Sequence, residues 1–356
     1  MKIQAWTVQE PGKPMVLQER ETTPSDGEVI VEVAGCGVCH TDLGFYYDGV
    51  PTRHGFPLTL GHEVAGTVVQ AGDHATDWLG RSVVVPAVIP CGLCDACLSG
   101  HGQICPKQIF PGSDVHGGFA SHLCVPAHGL CAVPDLADPA INKAGLDLLE
   151  LAVVADAVST PYQAIVRSGL AEGDLAVFIG AGGVGGFGVQ VAAALGAVVV
   201  AVDVDADKLA LMAGHGASLT LRSDEMPFKE LRGAIRGLAK ERGIPSYRQK
   251  IFETSGTPAG QSTAFGLVGH GGYLSVVGFT PAKLELRLSN LMAFDATAQG
   301  NWGCLPEHYP AIVEMALQDR IKLKPFVERR PMSSINQTFE DLHEGRASRR
   351  VILVPE

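Results

Sequence analysis

Charged residues are sparse in this 356-residue chain, at 18%, and aromatic residues sparser still, at 6%. Cations are the scarcer sign: 27 Lys and Arg stand against 38 Asp and Glu, a formal net charge of −11. No basic block offsets that balance, so neither nucleic acid nor an anionic membrane surface is an expected partner. No apolar run reaches the ~20 residues of a membrane span before glycine, proline or an acid interrupts it. The opening MKIQAWTVQEPG lacks the basic, apolar and small-residue succession of a secretory signal, and nine cysteines are an odd number for a disulfide framework. A reducing, cytoplasmic setting is expected, with cysteine used for metal. Internal repeats and low-complexity tracts are also missing.

What the chain has in excess is glycine. The 43 glycines are about 12% of the residues, against ~7% in average proteins, and they show no collagen period. Such a chain needs many tight turns and close backbone approaches. At ~100–200 residues per domain its length predicts two domains.

Texture divides the chain near Leu151. Before it, short alternating runs such as VIVEV (29–33) and EVAGTVVQAG (63–72), separated by Gly, Pro and Asp, predict a β-rich domain. After it, compact apolar runs alternate with helix-length stretches: LAVFIGAGG (175–183), AVVVAVDVD (197–205), KIFETSG (250–256) and GYLSVVGF (272–279). Near-continuous apolar strands spaced by helices predict a parallel sheet covered on both faces. The tail beyond about Gly300 ends in the strand-like RRVILVPE, and periodicity leaves open which domain it joins.

Gly180-Ala181-Gly182-Gly183-Val184-Gly185 fits G-x-G-x-x-G, directly after the strand-like VFI and at the start of a helical pattern. In that context the first glycine serves a tight turn, the second the approach of backbone N–H groups to a pyrophosphate, and the third close helix–strand packing. The next strand pattern reaches Asp203, about 20 residues on, where a carboxylate suits a ribose 2′-hydroxyl and repels a 2′-phosphate. NAD is therefore expected over NADP. Lys208 is a candidate ribose contact, or equally a solvated lysine at a helix start.

Two cysteine-containing constellations suggest metal. Cys91, Cys94, Cys97 and Cys105 form C-x2-C-x2-C-x7-C, a spacing that closes a tetrahedron of thiolates around structural Zn²⁺. An iron–sulfur cluster also uses four cysteines, but the pattern after the short spacings is not the usual one. The second is dispersed: Cys39 in GVCHTD, His62 and Glu63 in TLGHEVAG, and Asp156 in VVADAVSTPY. Separately, these read equally as a buried thiol, a turn histidine and a helix cap. Together they offer the three N, S and O ligands of an open zinc site. Cys36, Cys124, Cys131 and Cys304 are expected to be packing residues.

These motifs jointly resemble the zinc-dependent medium-chain dehydrogenase/reductase family, the alcohol dehydrogenase superfamily, over essentially the whole chain. The resemblance implies an α/β protein. Its GroES-like, β-rich catalytic domain would span 1–157 and 301–356, with a structural-zinc lobe at about 86–112, and its Rossmann coenzyme domain, a doubly wound parallel sheet, would span 158–300. It implies NAD and two zinc ions per chain, a catalytic one on Cys39, His62 and Asp156 and a structural one on the four clustered cysteines. Asp156 falls where many members carry cysteine. Glu63 matches the acid that transiently coordinates the metal, Thr41 the hydroxyl that meets the substrate oxygen, and His40 a pyrophosphate contact. A relay histidine found in some members is replaced by Gly44, so proton exit is expected through water, the coenzyme ribose or a histidine such as His54.

The implied activity is hydride transfer from a secondary hydroxyl to NAD⁺. The segments GVCHTDLGFYYDGVPTRHGFPLTLGHE and GSDVHGGFASH, with that of Asp156, resemble dehydrogenases of cyclic hydroxyacyl-CoA thioesters, and the resemblance implies such a small-molecule substrate, with Arg53, His54 and Lys107 as candidate contacts for its phosphates or else solvated surface charges. An ordinary secondary alcohol or polyol is the alternative, and a non-catalytic NAD redox sensor is the alternative of another class. By analogy with the family a homo-oligomer is expected, a tetramer before a dimer.

Overall fold

The alternation in VIVEV lies within a ten-residue strand, Glu28–Gly37, at the centre of a seven-stranded sheet that is antiparallel except for its Val327–Pro331 edge. It pairs with Glu63–Ala71 on one side and with the C-terminal Arg350–Val354 on the other, and His122–Pro126 also pairs with it. Ser82–Val85, Cys131–Ala132 and Val327–Pro331 complete the seven strands, and Lys2–Thr7 with Val16–Glu21 form a separate hairpin. The RRVILVPE tail thus returns to the first sheet. Val29, Val31, Leu58, Leu60, Val64, Phe119, Leu123 and Phe339 are buried in the core beneath. Register shifts at Ile30/Val31 and Val33/Gly35 bend the central pair just before Gly37 comes opposite Glu63.

The computed structural model describes residues 1–356, divided into two units: Met1–Ser159 with Gly303–Glu356, and Thr160–Trp302. The second unit is a six-stranded parallel sheet. Its spatial order is Leu219–Arg222, Val198–Asp203, Leu175–Ile179, Gln249–Glu253, Tyr273–Val276 and Thr297–Gly300. This is the doubly wound Rossmann arrangement, and strand order reverses between Leu175–Ile179 and Gln249–Glu253, where such sheets bind ligands beyond their carboxyl ends. Leu175–Ile179 is buried along its whole length, as expected of a strand covered on both faces. No helix is long and apolar enough to cross a membrane.

Candidate active site and metal centres

Cys39 N-caps the helix His40–Tyr47, so the motif CHTD lies on a helix start rather than in a loop. Asp42, three residues on, is fully buried and accepts hydrogen bonds from the backbone N–H of Cys39 (2.9 Å) and of Gly61 (3.1 Å). The same carboxylate stands 3.3 Å from His62 Nδ1. One buried acid therefore ties the Cys39 turn to the His62 turn. Asp156 arrives from a third direction, at the end of the 3-10 stretch Leu148–Ala155 and three residues before the helix Ser159–Arg167.

These elements bring Cys39, His62, Glu63 and Asp156 together, with one ligand atom of each within 4.8 Å of the others. Cys39 Sγ is 3.4 Å from Asp156 Oδ2, and His62 Nε2 is 3.5 Å from that oxygen. Tetrahedral bonds of ~2.3 Å to sulfur and ~2.0 Å to nitrogen or oxygen hold their donors about 3.3–3.8 Å apart. The Cys39, His62 and Asp156 donors fit one zinc ion. Both ring nitrogens of His62 are buried without an aligned hydrogen bond, which is costly unless a ligand or an ion completes them. Burial opposes a charged His62, but Asp42, Asp156 and Cys39 outweigh it and hold the ring well above its ordinary pKa in the metal-free chain. A metal ion held at Nε2 would displace that proton.

Glu63 is engaged differently from its three neighbours. Its carboxylate accepts from the backbone N–H of Ala157 (3.1 Å) and pairs with both Nε and Nη2 of Arg350. Gly37 makes room for it, because a Cβ there would fall 2.0 Å from Glu63 Oε2. Burial pushes the Glu63 carboxyl up and Arg350 opposes the shift. Burial likewise works against the Arg350 charge, yet Cys39 and Glu63 outweigh it and keep the guanidinium well above its ordinary value. Arg350 Nη2 also lies 3.9 Å from Asp156 Oδ2, so a permanent cation stands beside the anionic donors.

Behind Asp156, the carbonyl of Ala155 accepts from Tyr309 Oη (2.5 Å), Ser159 Oγ (3.1 Å) and the backbone N–H of Ala87 (3.3 Å). Tyr309 and Ser159 are fully buried and lie 3.2 Å apart. Three donors on one carbonyl fix the peptide that precedes Asp156. Thr41 Oγ1 lies 3.7 Å from Cys39 Sγ and is half-buried, while His40 is exposed on the first turn of the same helix.

Cys91, Cys94, Cys97 and Cys105 form the second group, with sulfur separations of 3.5 Å (Cys94–Cys97), 3.6 Å (Cys94–Cys105) and 3.5 Å (Cys105–Cys91). All three fit the edges of a thiolate tetrahedron. Without an ion the thiols titrate apart. Cys91 is lowered to about 6 by the backbone N–H of Leu93, whereas burial and its sulfur neighbours raise Cys97 to about 12. None of the nine cysteines is in a disulfide.

In the parallel-sheet unit, the three motif glycines have three surroundings. A Cβ on Gly180 would meet Ser255 N at 2.6 Å and one on Gly185 would meet Gly180 O at 1.8 Å, so both are fixed by packing. A Cβ on Gly182 would meet nothing within 4 Å, which leaves backbone open to a ligand ahead of the helix Gly185–Ala194. Gly183 is exposed and Val184 is the helix N-cap. Asp203 ends its strand and accepts from Ala181 N at 2.6 Å, so the acid and the glycine turn are joined. Lys208 Nζ lies 3.6 Å from Asp205, the cap of the next helix.

The candidate phosphate contacts do not form a cluster of available cations. Arg53 lies 3.4 Å from Asp114 and donates to the carbonyl of Gln108, His54 faces the His116 ring, and Lys107 is exposed. Asp42, Arg350 and Tyr309 were not among the residues the sequence singled out. Asp42 was legible in CHTD as a helix-start acid; Arg350 and Tyr309 carry no local signal.

Comparison with known proteins places the chain in a family. Residues 25–135 match the family described as alcohol dehydrogenase GroES-like domain, and residues 183–318 match the zinc-binding dehydrogenase family. An alcohol dehydrogenase of Geobacillus stearothermophilus is 30% identical over 99% of this chain and 98% of its own length. The chain belongs to the zinc-dependent alcohol dehydrogenase family. It is a dehydrogenase of CH–OH groups, with a GroES-like domain joined to a Rossmann coenzyme domain. Among solved members, galactitol-1-phosphate dehydrogenase from Escherichia coli superimposes with a TM-score of 0.86 at 26% identity, covering 99% of this chain and 100% of that one. A cobalt- and zinc-bound thermostable alcohol dehydrogenase from Pyrobaculum aerophilum gives 0.83 at 26% identity, covering 100% of both chains.

Proposed function

We propose that this dehydrogenase oxidises a secondary hydroxyl with NAD⁺, using one zinc ion held by Cys39, His62 and Asp156 and a second, structural ion held by the four clustered cysteines. The observation that carries the reading is the convergence of three chemically different donors, each within 4.8 Å of the others, with Asp42 beside His62 Nδ1 and with the buried Nε2, on the Asp156 side, lacking an aligned hydrogen bond. Zinc bound there supplies Lewis-acid charge that lowers the pKa of a substrate hydroxyl, and NAD⁺ supplies the hydride acceptor. The chain's own residues do the rest. Asp42 orients His62 and anchors the Cys39 turn. Arg350 neutralises Glu63, which in this reading approaches the ion only when that pair loosens. Thr41 Oγ1 takes the substrate proton, and with Gly44 in place of a relay histidine the proton leaves through water, ribose or His54. Gly182, Gly183 and Val184 receive the pyrophosphate with His40, while Asp203 and Lys208 face the adenosine ribose. These assignments leave no role for a purely redox-sensing protein, which would need the coenzyme loop alone.

For the substrate we infer a cyclic hydroxyacyl-CoA, of the kind of 6-hydroxycyclohex-1-ene-1-carbonyl-CoA oxidised to its 6-oxo thioester in anaerobic aromatic degradation. A polyol or polyol phosphate is the second reading. It is favoured by the engagement of Arg53 with Asp114, which removes a candidate CoA contact, and by similarity to a galactitol-1-phosphate dehydrogenase. NAD⁺ reduction measured with hydroxyacyl-CoA thioesters, the free hydroxy acids and polyol phosphates separates the two. Thioester-dependent turnover supports the first; equal turnover without CoA overturns it. We further propose a cytoplasmic homo-oligomer, tetramer before dimer. Supporting it are the free cysteines and the exposed edge strand Thr297–Gly300 with exposed Phe279, Leu288 and Met292 nearby in sequence.

A further inference from the structure

Asp203 has a charged neighbour that the glycine motif does not announce. The parallel strands Val198–Asp203 and Leu219–Arg222 end together, and Arg222 is the register partner of Asp203. Neighbouring strands lie ~4.8 Å apart, well within the reach of an arginine side chain. Asp203 spends its oxygens on the backbone N–H groups of Ala181, Val204 and Asp205, which keeps it turned toward the glycine loop. Arg222 has partners of its own. Its Nε and Nη2 pair with the two oxygens of Asp224 (3.2 and 2.5 Å), and its Nη1 pairs with Glu225 at 2.7 Å. All three guanidinium nitrogens are occupied by acids from the next three residues.

We propose that Arg222 sets discrimination at the adenosine 2′ position of the coenzyme, and that Asp224 and Glu225 hold it neutralised so that a 2′-hydroxyl is accepted and a 2′-phosphate is not. The inference rests on the NAD reading above and deepens it. Asp203 alone repels a phosphate, but an arginine one strand away would offset that repulsion. The two acids cancel the offset. They are exposed, and the guanidinium is about one-third exposed, so the restraint is modest and can be released without disturbing the core.

The test uses the full-length, zinc-loaded protein and reads equilibrium binding of NADH and NADPH by nicotinamide fluorescence, independent of turnover. The variant D224N/E225Q is expected to bind NADPH about 3–10-fold more tightly, with NADH changed by less than about twofold, and the gain to shrink as salt is raised. Adding R222Q to that variant is expected to remove the gain. Retention of the gain in R222Q/D224N/E225Q, or equal tightening of both dinucleotides in D224N/E225Q, overturns the assignment. Preference for NADPH in the unmodified protein overturns the NAD reading instead, a separate result seen before any variant is made.

Discussion

The molecule contains two cysteine-bearing centres that solve the same coordination problem by opposite routes. The lobe at Cys91–Cys105 takes all four donors from fifteen consecutive residues, around one short helix, Asp95–Leu98. Three of its four thiols are half-exposed, only Cys105 is buried, and Leu93, Leu98 and Ile104 beside them are exposed. The Cys39, His62 and Asp156 set draws on distant parts of the chain and is packed by Asp42, Arg350, Ser159 and Tyr309, all buried. Donors close in sequence are placed by local turns, whereas donors from distant segments are placed by the packing around them.

Mutations that attack one centre and spare the other test this contrast. Asp156→Ala has the largest expected effect on activity: removing a ligand should cost more than the 10–100-fold typical of lost supporting contacts, and zinc analysis should fall from two ions per chain to one. Unchanged activity and stoichiometry would mean that Asp156 is not a ligand. Cys94→Ser should do the reverse, keeping activity per folded molecule while lowering the melting temperature by about 5 °C and opening the 91–105 segment to protease. In the zinc-stripped protein Cys91 should be alkylated at neutral pH, with the rate falling as pH drops through about 6, while Cys97 stays protonated and unreactive. Peptide mapping that finds both labelled equally at pH 7 would remove the asymmetry. Asp42→Asn should weaken zinc at the catalytic set by about 10–100-fold without touching the lobe. Tyr309→Phe, which leaves two of three donors on the Ala155 carbonyl, should cost only about 1 kcal/mol of stability and loosen the same zinc slightly, measured by chelator competition. An equal loosening of the lobe zinc by either change would contradict the separation of the two centres.

The two centres also differ in how far they could be read from sequence. The lobe is a spacing pattern, and spacing is all it needs. The glycine motif was legible for the same reason, since Gly180, Gly182 and Gly185 act within one turn. Cys39, His62 and Asp156 could be grouped by ligand type, but each kept a bland alternative until the family resemblance gave the grouping its weight. Asp42 had a readable position but no sign that its carboxylate would bridge two turns. Arg350 lies 287 residues from Glu63 and inside an apolar strand, where nothing local marks a buried ion pair. Arg222 falls in an unremarkable strand end, and only sheet register places it beside Asp203. The apolar runs located the parallel strands well, because a strand covered on both faces writes its burial into composition. Partnership between strands far apart in sequence leaves no such trace.

The return of Arg350–Val354 to the first sheet bears on biosynthesis. Cys39, His62 and Asp156 are synthesised well before Arg350–Val354, which supplies both the strand beside Glu28–Gly37 and the cation beside Glu63. The Thr160–Trp302 unit, continuous in sequence, is complete while its predecessor still lacks an edge. The buried acid Glu63 therefore gains its Arg350 partner only after the whole Thr160–Trp302 unit has been made.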